Sequence, residues 1–141
     1  MSLSSSAQTT YLITIPGNPH AKMRPRISAP VKGRRPRTHQ DPKDKAAEDR
    51  TREILRASGC PCFTGNVALN ISFYRASRQI VDVDNLQKHV LDAGLGVLYT
   101  DDCQITALTC SLDLDRDNPR TVIQITRDHA STLKRGTDHT A

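Results

Sequence analysis

Tryptophan is absent from this chain and aromatic residues number only five, three Tyr and two Phe. A protein that grips single-stranded nucleic acid by stacking successive bases on aromatic rings is thereby excluded. No apolar run is long enough to span a bilayer, and the polar amino terminus has no signal-peptide core. The four cysteines, Cys60, Cys62, Cys103 and Cys110, are therefore expected in a reducing cytoplasm as free, partly buried thiols. Cys60-Pro61-Cys62 is not a zinc knuckle, and Cys103 and Cys110 stand far from it in sequence, so structural zinc is not expected. Apolar residues are scarce as well, at 36%, and the shortfall falls in Met1–Thr10, Gly17–Gln40 and Arg127–Ala141, none of which looks able to pack. What remains, roughly 90 residues, supports one domain with a modest core that a partner subunit would reinforce.

Acid is missing from one long stretch. Between Gly17 and Gln40 stand Lys22, Arg24, Arg26, Lys32, Arg34, Arg35 and Arg37 without one Asp or Glu. The formal net charge is +5, so this arm carries all the excess and the rest of the chain is slightly acidic. A flexible basic arm of this kind suits a polyanion. With so few aromatics, its contacts are expected on the phosphate backbone, where affinity is electrostatic and carries little sequence information.

Periodicity gives the order β-α-β-α-β-β. Tyr11, Ile13 and Ile15 alternate in a strand ended by Pro16-Gly17. Asp41-Pro42-Lys43-Asp44 has a capping acid and a proline where a helix starts, and that helix is expected to run to about Ala57, before Gly59 and Pro61. Val67, Leu69, Ile71 and Phe73 alternate as a half-buried strand. A second helix, apolar nearly all round, is expected from Asn85 to about Val97, leaving a polar stripe of Asp84, Lys88 and Asp92. Leu108 to Leu114 reads as a third strand, and after a turn at Asp117-Asn118-Pro119, Val122 to Ile125 is expected to pair back on it as a fourth. The class is α+β: a single domain with a mixed sheet of about four strands and two helices on one face. Residues 1–10 are expected to be a flexible amino terminus and 128–141 a disordered polar tail.

Five of the fifteen acids, Asp82, Asp84, Asp92, Asp101 and Asp102, gather in one window of this basic chain. Two carboxylates held close raise each other's cost of ionising unless a cation intervenes, and hard oxygen donors suit Mg²⁺ or Mn²⁺. In an extended segment Asp82 and Asp84 would point the same way, and Asp102 would close the cluster if the chain folded it back. Singly, Asp84 suits a helix cap and Asp101-Asp102 a turn. A calcium loop is excluded, because Gln87 and Ala93 stand where that loop requires Gly and Glu. Lys88 either pairs with Asp84 or Asp92, or faces the cluster and neutralises charge on a reacting phosphate.

Asp82-x-Asp84-Asn85-Leu86-x-Lys88, then Asp92-Ala93 and Asp101-Asp102-x-Gln104-Ile105, resembles the RusA family of Holliday junction resolvases. Ile15-Pro16-Gly17-Asn18-Pro19 followed by Lys22-Met23-Arg24-Pro25-Arg26 is similar to that family's amino-terminal signature, and the resemblance covers residues 11–127. It implies a homodimeric, Mg²⁺-dependent endonuclease, with Mn²⁺ as the expected substitute and no organic cofactor. Such an enzyme places symmetric nicks in four-way DNA junctions during recombination and repair. Metal ligands then fall on Asp82, Asp84 and Asp102, and Lys88 is the essential basic residue. Asn85, Asp92, Asp101 and Gln104 are supporting, and the seven cations of the arm bind DNA. The implied setting is cytoplasmic and nucleoid-associated, in a bacterium, prophage or phage, without membrane contact. The longer arm and the tail after Arg127 depart from the family's compact form. Two rivals share part of the pattern: a non-catalytic junction binder needs no acid cluster, and a monomeric metal nuclease acting on flaps or single strands needs no dimer.

Overall fold

The computed structural model describes residues 9–23, 26–27, 33 and 38–133. Strand β1 (Tyr11–Pro16) buries Ile13 and Ile15 and turns Leu12 and Thr14 outward. Two short strands, β2 (Arg26–Ile27) and β3 (Thr38–His39), pair antiparallel. Helix α1 (Pro42–Ala57) starts where Asp41 accepts a hydrogen bond from Lys43 N at 2.8 Å, with Pro42 in its first turn. It buries a stripe of Asp44, Ala47, Thr51 and Leu55, and just beyond it Gly59 takes a positive φ of 82° that a side chain would disfavour.

Strand β4 (Val67–Arg75) buries every second residue, Val67, Leu69, Ile71, Phe73 and Arg75. Helix α2 (Val83–Gly94), strand β5 (Ile105–Leu114) and strand β6 (Arg120–Arg127) complete the chain. The sheet has the order β1-β6-β4-β5, with β5 parallel to β4 and the other pairs antiparallel. The inward residues of β1, β4 and β6 form one core with Leu55 of α1 and Leu86, Val90 and Ala93 of α2. The opposite face carries exposed Thr14, Asn70 and Gln124. Among the described residues no helix is long and apolar enough to cross a membrane.

The element order is as the periodicity indicates, and three details are corrected. First, β6 does not pair back on β5, because β4 lies between them. The apolar alternation of β4 suits the sheet centre, α2 carries the chain over to set β5 parallel, and the next loop crosses the end of β4, where Asp115 N donates to Arg75 O at 2.8 Å. Second, α2 begins at Val83 and ends at Gly94 rather than running to Val97. Gly96, at a φ of 84°, turns the chain, and Val97, Leu98 and Tyr99 fold back as buried loop residues. A Cβ on Gly94 would stand 3.1 Å from the Tyr99 hydroxyl oxygen and 3.2 Å from Leu98, so any larger residue would push these side chains back by a few tenths of an ångström.

Third, the segments expected not to pack do so in part. Lys22 N donates to Asn85 O at 3.0 Å and Gly17 N to Pro119 O at 3.0 Å, which seats the start of the arm on the core. At the carboxyl end, Asp128 N donates to Asn66 O at 2.9 Å and Thr106 Oγ1 to the Asp128 carboxylate at 2.6 Å, while Asn66 Nδ2 donates to Leu133 O. The expectations for residues 1–8 and 134–141 lie outside the described residues.

Candidate active site

Asp82, and not Asp84, is the capping residue of α2. Its backbone is extended, with φ −80° and ψ 119°, and its Oδ1 accepts from Asp84 N at 3.0 Å, which satisfies an amide that helix geometry leaves unpaired. Asp84 therefore stands in the first helical turn rather than in an extended segment, next to the cap. Both carboxylates are exposed, close to the positive end of the helix dipole. One turn on, Lys88 Nζ lies 3.9 Å from Asp84 Oδ2, with both side chains 61% exposed. A pair so open to water adds only a few tenths of a kcal/mol, so stability does not explain it.

Asp101 and Asp102 sit at the other end of α2. In a β-α-β crossover the helix starts beyond the carboxyl end of the first strand and returns the chain to the amino end of the second; here these are β4 and β5. Asp92 stands ten positions after the cap Asp82, about 15 Å along the helix axis at 1.5 Å per residue. Asp102 belongs to the Asp92 end: burial raises the Tyr99 hydroxyl above its ordinary range, and the charges of Asp92 and then Asp102 raise it further. The Tyr99 hydroxyl itself donates to Leu91 O at 2.6 Å. Among the described residues, no three His, Cys, Asp or Glu side chains group to hold a metal ion. The chain thus brings together Asp82, Asp84 and Lys88, and holds Asp102 apart from them.

Gln104 fixes that second acidic element. It is fully buried and makes five hydrogen bonds. Its Nε2 donates to Phe63 O and Gly65 O, both at 2.8 Å, and its Oε1 accepts from Thr100 N at 2.9 Å, Thr100 Oγ1 at 2.6 Å and Asp101 N at 2.8 Å. The bond from Asp101 N is half of a capping box, whose other half is the Asp101 carboxylate accepting from the amides of the turn. The Cys103 N–H, and after it hydrogen bonds with the Asp102 and Cys103 side chains, hold Asp101 below the usual carboxylate range. Asp101 is thereby committed to the turn, and Asp102 is presented to solvent.

The remaining expected site residues divide. Asn85 takes part through its carbonyl, which accepts from Lys22 N. Asp92 forms an ion pair with Lys22, so the Lys22 ammonium is occupied at the root of the arm. Arg52 of α1 donates to Asp92 O at 2.8 Å and Ala93 O at 3.2 Å, closing the end of α2. Arg26 contributes β2; Arg24, Lys32, Arg34, Arg35 and Arg37 lie outside the described residues.

Sequence reasoning missed a buried polar layer beneath the arm. The carboxylate of Asp44, only 2% exposed, accepts from His20 Nε2 at 2.7 Å and Met23 N at 3.0 Å. His89 Nε2 lies 2.9 Å from Thr51 Oγ1, and its ring is 4.9 Å from that of His20. Burial, then the neighbouring His20, lowers His89 from 6.5 to about 4. The only local signal was Asp44 recurring with Ala47, Thr51 and Leu55 on one helical face.

The family model of endodeoxyribonuclease RusA matches residues 16–126, well over half of the chain. No curated protein matches the chain.

Proposed function

The chain belongs to the endodeoxyribonuclease RusA family, and we propose that it acts as a homodimer that resolves four-way DNA junctions by paired, metal-dependent nicks in recombination and repair. The observation that carries this reading is the exposed pair Asp82 and Asp84 at the start of α2 with Lys88 one turn away. Two carboxylates with open surroundings fit Mg²⁺, which is usually held by one or two carboxylates together with water and substrate phosphate. Bound there, the metal supplies a Lewis acid for the phosphate oxygens and a water of lowered pKa. Asp82 and Asp84 hold and orient it, the first with its Oδ1 already engaged as the helix cap. Lys88 neutralises charge that gathers on the phosphate as the bond breaks, leaving 5′-phosphate and 3′-hydroxyl ends.

Asp102 does not fit that site within one chain, since α2 stands between. In a two-fold dimer the two ends of a helix on one copy can face the opposite ends on the other. The reading therefore assigns the third carboxylate to Asp102 of the partner subunit, held ready by Gln104. Two such sites related by a two-fold axis match the near two-fold symmetry of a four-way junction, and the basic arm adds backbone grip.

A Mg²⁺ titration on a synthetic four-way junction beside a matched linear duplex tests the reading. Paired nicks in the junction, absent in chelator and far slower on the duplex, are expected. Equal cutting of duplex and flap by a monomer would replace the reading with a general metal nuclease, and tight junction binding without cutting would replace it with a binding protein.

A further inference from the structure

Arg75 is the last residue of β4, on the face that points into the core, and is 8% exposed. A cation so deeply placed is costly unless an anion answers it. Here Nη1 donates to Pro19 O at 3.0 Å, Nε has no partner, and among the described residues no carboxylate lies within ion-pair distance. Arg75 is among the residues that line an open cavity of about 430 Å³. Around it stand Ser77, Arg78 and Gln79 on one side and Leu112 and Asp113 of β5 on the other. Asp113 turns one oxygen to Leu114 N at 2.8 Å. Arg78 is exposed, so the cavity has one buried and one movable cation. Its loop is pinned where Asn18 Oδ1 accepts from Ala76 N at 2.9 Å, and it runs directly into Asp82.

We propose that this cavity is a phosphate seat: Arg75 and Arg78 clasp a backbone phosphate of the DNA strand, beside the phosphate addressed by Asp82 and Asp84. A phosphate supplies several acceptor oxygens for the forked donors of two guanidinium groups, and it answers a buried positive charge that the chain itself leaves open. The identity of the carrier as DNA rests on the proposed function; the demand for an anion does not.

The test measures binding of junction and of matched duplex in chelator, where nothing is cut, across a range of salt, for the wild type, Arg78→Ala, Arg75→Met and, as a control on α1, Arg56→Ala. Each lost phosphate contact is expected to lower the slope of log affinity against log salt by about 0.9. Between 50 and 200 mM salt, Arg78→Ala and Arg75→Met should then each lose about threefold less affinity than the wild type, for both DNAs, with Arg56→Ala unchanged. Arg78 is exposed and carries the test alone if Arg75→Met lowers the melting temperature. Slopes equal to wild type overturn the seat. Inorganic phosphate at matched ionic strength that stabilises the wild type but not Arg78→Ala, with DNA slopes unchanged, would also overturn it by assigning the cavity to a free anion. If the wild type binds junction and duplex equally, the junction reading fails while the slopes still decide the seat.

Discussion

Replacing Gln104 with Met keeps nearly the same volume and removes all five hydrogen bonds of the buried amide. The consequences are unequal. Thr100 and Asp101 are exposed, so water can take over their N–H groups at little cost. Phe63 O and Gly65 O belong to buried residues and would lose the partner Gln104 supplies, at about 1–3 kcal/mol each. The expected loss is therefore about 4 kcal/mol, a large part of the 5–15 kcal/mol typical of a domain. In a urea titration, with a slope of about 2 kcal/mol/M, the midpoint should fall by about 2 M. The same change frees the Asp101-Asp102 turn, so nicking by the folded fraction should also drop while junction binding is retained. A midpoint shift below about 0.5 M, which is about 1 kcal/mol, would refute the view that Gln104 holds this turn.

Lys88→Ala is expected to slow single-turnover junction cleavage by on the order of a hundredfold with little change in Kd; a large affinity loss with normal saturated cleavage would make Lys88 a phosphate clamp instead. His89 is held at about 4 in the fold against 6.5 ordinarily, so between those values the unfolded chain binds a proton that the folded chain refuses. Stability should then be full above about pH 6.5 and fall by up to about 3 kcal/mol on acidification to pH 4; His89→Gln should flatten that part of the curve, and denaturant midpoints against pH decide. Changing Arg34, Arg35 and Arg37 together to Ala should lower the salt slope of DNA binding by up to about 2.7 and weaken junction and duplex alike. A loss confined to junctions would make the arm a reader of junction shape.

What was legible in the sequence was local. Asp82, Asp84 and Lys88 fall within two helical turns, so spacing alone placed them together, and Asp41-Pro42 marked the start of α1. Which acid caps α2 was not legible, because both suit the position and the extended backbone at Asp82 decides. The turn at Asp117-Asn118-Pro119 ends β5, but a turn signal does not say which strand the chain rejoins; the apolar alternation of β4 takes that place. By residue pattern Asp102 joined the cluster only on the supposition that the chain folds back, whereas α2 sets it at the other end of the helix from Asp82; its expected role as a ligand came from the family resemblance. The unanswered charge of Arg75 and the Asp44–His20 contact join residues far apart in sequence, and no local pattern announces them.

In the proposed site Asp82 and Asp84 of one subunit work with Asp102 of the partner subunit. Equal amounts of Asp82→Asn and Asp102→Asn protein, each expected to bind junctions without cutting, are unfolded, mixed and refolded, and junction nicking is measured. In half of the resulting dimers one site carries both substitutions and the other carries neither, so total nicking should return to about a quarter of the wild-type level, as single nicks. A mixture that forms mixed dimers yet stays inactive would contradict the claim and place all three carboxylates of each site on one chain.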